Sequence, residues 1–99
     1  MSLPPVTNYL VVAYDVPDSK RPVHREEHLA GAKAAHDDGR LPVAGAMFDE
    51  GATKMIGSTM LFKAESLEAV RKIIESDPYY INGVWDKERI TILPFFRGY

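Results

Sequence analysis

Apolar residues along this chain alternate in some stretches and recur at three to four residues in others, which divides it into strands and helices in the order βαββαβ. Asn8 to Val16 is rich in β-branched and aromatic residues and stops at Pro17, which predicts strand 1. Its alternate faces read Tyr9, Val11, Ala13, Asp15 and Leu10, Val12, Tyr14, Val16. Neither is polar along its length, the pattern of a strand covered on both sides. Pro22 suits a first helical turn and Gly39 a left-handed cap after Asp38, so helix 1 is predicted between them. Leu41 to Phe48 and Met55 to Ala64 read as strands 2 and 3, joined by the glycine-containing loop Asp49 to Lys54. Ser66 is a good N-cap, Glu68 complements the dipole, and Leu67, Val70, Ile73 and Ile74 form one apolar stripe, which predicts helix 2. That helix has to end by Asp77, because the residue before Pro78 is pushed out of helical geometry. Asn82-Gly83 makes a turn, and Val84 to Phe95 supplies strand 4.

Two interleaved right-handed βαβ units turn this order into an α+β fold, a four-stranded antiparallel sheet in the order 4-1-3-2 with both helices on one face. This is the ferredoxin-like arrangement. It brings the end of strand 1, the start of helix 1, the strand 2–3 hairpin, the end of helix 2 and the start of strand 4 to one edge, where a multi-segment site belongs. A chain of 99 residues fits a single domain, 1–99, burying about two-thirds of its unfolded surface. Its 45% hydrophobic content exceeds what so thin a core needs, and with the two apolar faces of strand 1 it predicts a homodimer or higher even oligomer.

Twelve basic and 14 acidic residues give a net charge of −2, interspersed without long runs of one sign, which argues against nucleic-acid or anionic membrane surfaces as partners. The absence of cysteine removes disulfides and thiol chemistry and leaves the cytosol, a cytoplasmic location, as the default. No apolar run approaches the roughly 20 residues of a membrane span, and the N-terminus lacks a signal-peptide pattern. Met1-Ser2-Leu3 is compatible with an expression scar.

All three histidines lie on helix 1, where His24, His28 and His36 share an inward arc of about 120° with Leu29, Ala32 and Ala35. His28 projects between Ala32 and Ala35, whose methyl groups leave space around its ring. It is a candidate acid–base group; the plainer alternative is a half-buried histidine tied to a backbone carbonyl. Asp77 reaches the same edge at the end of helix 2, where the dipole disfavours a carboxylate by about 0.3–1 kcal/mol and a donor would be welcome. An imidazole is such a donor, and a carboxylate on one ring nitrogen prepares the other as a general base. The alternative is an ordinary Asp-Pro turn. Arg21 is a candidate anchor for an anionic substrate, against a solvated loop charge. Ser58 is a candidate polar contact, against an ordinary strand residue at the sheet's wetter end. Asp15 stands at the same edge. Tyr79, Tyr80, Trp85, Phe95 and Phe96 are candidate pocket walls, against core or dimer contacts. The run from His24 to His28 matches H-x-x-E-H, but such zinc peptidases need a further carboxylate ligand and much more chain around the groove, and five-residue patterns arise by chance, so no metal is expected. No P-loop or dinucleotide fingerprint is present, so no cofactor is expected.

Several of these pieces together resemble the YciI-like (YCII-related) family: Arg21 followed by His28-Leu29, Asp38-Gly39-Arg40-Leu41 running into Ala44-Gly45, Gly57-Ser58-Thr59, Asp77-Pro78-Tyr79 with Gly83-Val84, and a Pro94-Phe95 ending. Each is short, but their order and spacing are specific and span nearly the whole chain. The resemblance implies a ferredoxin-like fold assembled as a dimeric α/β barrel, with a site centred on His28 and Asp77. It also implies cofactor-free acid–base work on ring compounds, as in elimination of HCl from a chlorinated hydroquinone. Two positions depart from the family's pattern: Ala46 stands where a proline commonly follows the glycine, and Leu93 where a lysine usually precedes the proline. Both bear on the expected pocket rim. The resulting expectation is a small lyase or isomerase in which His28 moves a proton, Asp77 orients it, and Arg21, Ser58 and Tyr79 bind a small molecule. The alternative is a non-catalytic dimeric module that binds a small molecule or a partner protein.

Overall fold

The computed structural model describes residues 5–99; the Met1-Ser2-Leu3 reading lies outside the described residues. Strand β1 (Asn8–Asp15) is followed by α1 (Arg21–Asp37), β2 (Val43–Phe48), β3 (Met55–Lys63), α2 (Leu67–Glu75), a one-turn helix α3 (Pro78–Ile81) and β4 (Trp85–Phe95). The sheet order is β2-β3-β1-β4, antiparallel throughout, which is the expected ferredoxin-like order. Among the described residues no helix is long and apolar enough to cross a membrane.

Local chemistry explains where the elements stop. α1 ends before Gly39, whose φ of 87° is cheap only for glycine. Leu41 N–H then turns back to Ala35 O at 3.2 Å, so β2 starts at Val43 rather than at the predicted Leu41. Ser66 Oγ accepts from Ala69 N–H at 3.1 Å and caps α2 as its sequence predicts.

The core lies between the sheet and the helices. Tyr9, Val11 and Ala13 of β1 and Met60 and Phe62 of β3 form its sheet side, and Val70 and Ile74 of α2 close over it. On the opposite sheet face Leu10, Val12 and Leu61 are half-buried, and Val43, Leu93 and Phe95 are exposed.

Three expectations need correction. First, the inward arc of α1 is narrower than its sequence implies: only Arg21, His28 and Ala35 are buried. Leu29 is 44% exposed, and His36 is exposed, its ring Nδ1–H donating to Leu41 O at 2.9 Å. α1 stands off from β2 and leaves a cleft, in keeping with the space expected around His28 beside Ala32 and Ala35. Second, Asp77 does not sit in the last turn of α2, which is capped by Ser76. It is the N-cap of α3, with extended backbone as expected before a proline, and its carboxylate accepts from Tyr79 N–H at 2.8 Å. The helix dipole therefore favours this carboxylate. Third, Leu93 pairs with Leu10 in the β1–β4 ladder on the exposed sheet face and does not line the cleft that holds His28.

An irregularity at the start of β4 redirects one large side chain. Ala13 pairs with Ile90, but Asp15, two residues on, pairs with Trp85. Simple alternation would put Trp85 and Ile90 on opposite faces. The extra residues at Asp86–Arg89 turn both toward the helices.

Candidate functional site

Five segments meet at the expected edge, and they carry two hydrogen-bonded groups. In the first, Arg21 from the start of α1 donates through Nη1 to both oxygens of Asp15 at 2.9 and 3.1 Å. Its Nη2 donates to Ser58 Oγ at 2.8 Å. Trp85 Nε1–H, aimed inward by the β4 irregularity, donates to the same oxygen at 3.3 Å. Arg21 is 7% exposed and Ser58 2%, so Ser58 is not the wet strand residue that its sequence context suggested. Gly57 beside it fixes the local approach of the strands: a Cβ there would stand 2.5 Å from Ala13 O and from Met47 Cε.

A hydroxyl has two lone pairs and one proton. Arg21 and Trp85 fill the lone pairs of Ser58 Oγ. Its proton is left to donate, and Ser58 lines the cleft. Arg21, which lines the cleft beside Ser58, has both terminal nitrogens engaged, and its Nε is buried without a partner among the described residues.

In the second group, His28 Nδ1–H donates to both oxygens of Asp77 at 2.9 Å each. Asp77 Oδ1 also accepts from Tyr79 N–H, so the one-turn helix holds the carboxylate and the carboxylate holds the imidazole. The Tyr79 ring stacks on His28 with centroids 4.0 Å apart and planes 11° from parallel. Trp85 meets His28 edge-on at 5.9 Å. Burial raises the Tyr79 phenol above its ordinary value, partly offset by Arg21 and Arg25.

His28 is 7% exposed, yet it lines a cleft of about 640 Å³ between α1 and strands β2 and β3. Asp77 does not line this cleft. The carboxylate is therefore behind the imidazole and the cleft in front of it. Nε2 makes no hydrogen bond among the described residues, so the pairing at Nδ1 leaves it as the free acceptor. The floor is apolar, including Leu29, Ala32, Ala46 and Met60.

His28, Asp77, Arg21, Ser58, Tyr79, Asp15 and Trp85 thus come together. Tyr80, Phe95 and Phe96 do not: Tyr80 is half-buried under Lys87, Phe95 pairs with Asn8 at the far end of the sheet, and Phe96 is exposed. Among the described residues no three His, Asp or Glu side chains are grouped to hold a metal. Among the arginines that line the cleft, one escaped sequence reasoning. Arg25 sits one turn after Arg21 on the same helix face, a spacing that was its only signal.

A model of the YCII-related domain matches residues 7–95. Protein YciI of Escherichia coli O6:H1 is 40% identical over 94 residues, spanning 88% of this chain and 94% of its own. Fusaric acid biosynthesis protein 2 of Gibberella moniliformis is 36% identical over 94 residues, spanning 88% of this chain and 90% of its own. A solved structure, 5-chloro-2-hydroxyhydroquinone dehydrochlorinase of Burkholderia phenoliruptrix in complex with 2,5-dihydroxybenzoquinone, is similar with a TM-score of 0.81. It is 24% identical and covers 92% of this chain and 95% of its own, a likeness of fold.

Proposed function

This chain belongs to the YCII-related domain family, and from that premise we propose that it is a single-domain, cofactor-free enzyme of lyase or isomerase type acting on a small ring compound. The observation that carries the reading is the orientation of His28, with Nδ1 held by Asp77 and Nε2 free on the cleft side. Nε2 takes a proton from the bound ring, and the electron pair left behind either expels a leaving group from the neighbouring atom or is reprotonated elsewhere on the ring by the same imidazolium. Asp77 fixes the tautomer and stabilises the imidazolium. Ser58, constrained to donate, faces the oxygen on which negative charge develops; Arg21 positions Ser58, and Tyr79 walls the ring. The dehydrochlorinase of the same fold acts on a ring compound, and fusaric acid biosynthesis concerns a small molecule, which supports this substrate class.

Turnover of a panel of hydroxylated and chlorinated aromatics, followed by absorbance, tests the reading. His28→Asn is expected to lower kcat by about 10²–10⁴-fold while leaving the fold intact. Undiminished turnover in that variant overturns it. Ligand binding without turnover, surviving His28→Asn, points instead to a non-catalytic binding module.

The exposed apolar sheet face, with Val43 of β2 and Leu93 and Phe95 of β4, supports a homodimer formed by a second copy. Sedimentation equilibrium reads this directly, and a monomer at high micromolar concentration counts against it.

A further inference from the structure

Acid–base chemistry at His28 leaves unexplained the charge that surrounds it. A second cleft of about 700 Å³ lies between the β1–α1 loop, the start of α1 and the end of the β2–β3 hairpin. It shares Arg21, Arg25 and Met55 with the first, so Arg25 stands where the two meet. The first cleft is lined by arginine, lysine and histidine side chains and by no carboxylate. The second adds Lys54 and Arg89, with Asp15 and Asp18 as its acids.

Most of the other charges here are already matched. Asp15 is held by Arg21 and Ser19, and Lys33 by Asp37 at 2.7 Å. Arg25, Lys54 and Arg89 make no ion pair among the described residues, and Arg89 lies 4.3 Å from the Tyr14 ring centroid. A chain whose net charge is −2 thus gathers three exposed cations without an ion pair along the second cleft, against Asp18 alone, and one of them, Arg25, also lines the cleft of His28. Walls of one sign concentrate ligands of the other. Arg25 also acts on the site itself, since its charge opposes the effect of burial on the Tyr79 phenol.

We infer that the ligand is a small ring carboxylate, its ring on the apolar floor against His28 and its carboxylate held by Arg25 at the junction of the two clefts. This rests on the ring-compound reading and adds the charge. Arg25 is exposed and makes no ion pair among the described residues, so its guanidinium is open to a ligand, and a carboxylate suits its planar fork, two parallel N–H donors to two oxygens.

4-Hydroxybenzoate and 4-hydroxybenzamide have nearly the same shape and differ in charge. Titrating each into the full chain, with calorimetry for affinity and imidazole NMR for the state of His28, provides the test. The acid is expected to bind about tenfold or more tighter than the amide, with a preference that shrinks as salt rises. Arg25→Gln should erase the preference without weakening the amide, and Lys54→Gln should only trim it. Equal binding of acid and amide, or a preference that survives Arg25→Gln, overturns the inference. Should both probes shift His28 but bind equally, the charge inference alone falls. Should neither shift His28, the ring-compound reading falls and this inference with it.

Discussion

The two long helices lie on the same sheet face and use it differently. α2 has nine residues, a serine cap, Val70 and Ile74 fully inserted in the core, and Leu67 and Ile73 packed beside them. α1 has 17 residues and no side-chain N-cap, and the residues it buries are Arg21, His28 and a single alanine. A helix that buries polar groups gains little from the hydrophobic effect and loses stability unless each group is matched. Asp15, Ser58 and Asp77 match the α1 groups, and all three come from other elements. α2 therefore holds the fold through apolar packing, while α1 is held in part by hydrogen bonds from Arg21 and His28 to other elements.

The contrast is strongest for two aliphatic residues, one on each helix. Ile74→Ala removes a side chain 2% exposed in the core and is expected to cost about 2–5 kcal/mol in urea denaturation. Leu29→Ala, in the half-open cleft wall of α1, is expected to cost less than about 1 kcal/mol and to weaken ligand binding instead. Equal stability losses would break the distinction. A smaller effect sharpens it: Ser66→Ala deprives Ala69 N–H of its acceptor and is expected to cost about 1 kcal/mol with kcat unchanged, since the cap touches no site residue. A change in turnover comparable to that of His28→Asn would show that α2 is coupled to the chemistry.

Much of this arrangement is legible in the sequence. The stripe of α2, its cap, the left-handed Gly39 and the sheet order all follow from periodicity and local backbone preference. So does the edge at which His28 and Asp77 meet, because chain order and handedness leave few ways to connect these elements. The mistaken parts have local causes of a different kind. Spacing alone puts Asp77 at the wrong helix terminus because Pro78, which ends α2, also starts the one-turn helix α3. It makes the inward side of α1 too wide because a helical arc gives direction but not the distance to the next element.

The sequence by itself determined the four strands and two long helices, their order and the residue types delivered to one edge, since these depend on spacing and on each residue's own backbone preferences. Tertiary structure alone decided which groups face each other. His28 reaches Asp77 across 49 positions, and Arg21 reaches Ser58 across 37. Trp85 joins them only because an irregularity in β4 reverses its face. Hydrogen bonds at 2.8–2.9 Å depend on strand register and side-chain direction, and a shift of one residue in either would remove them.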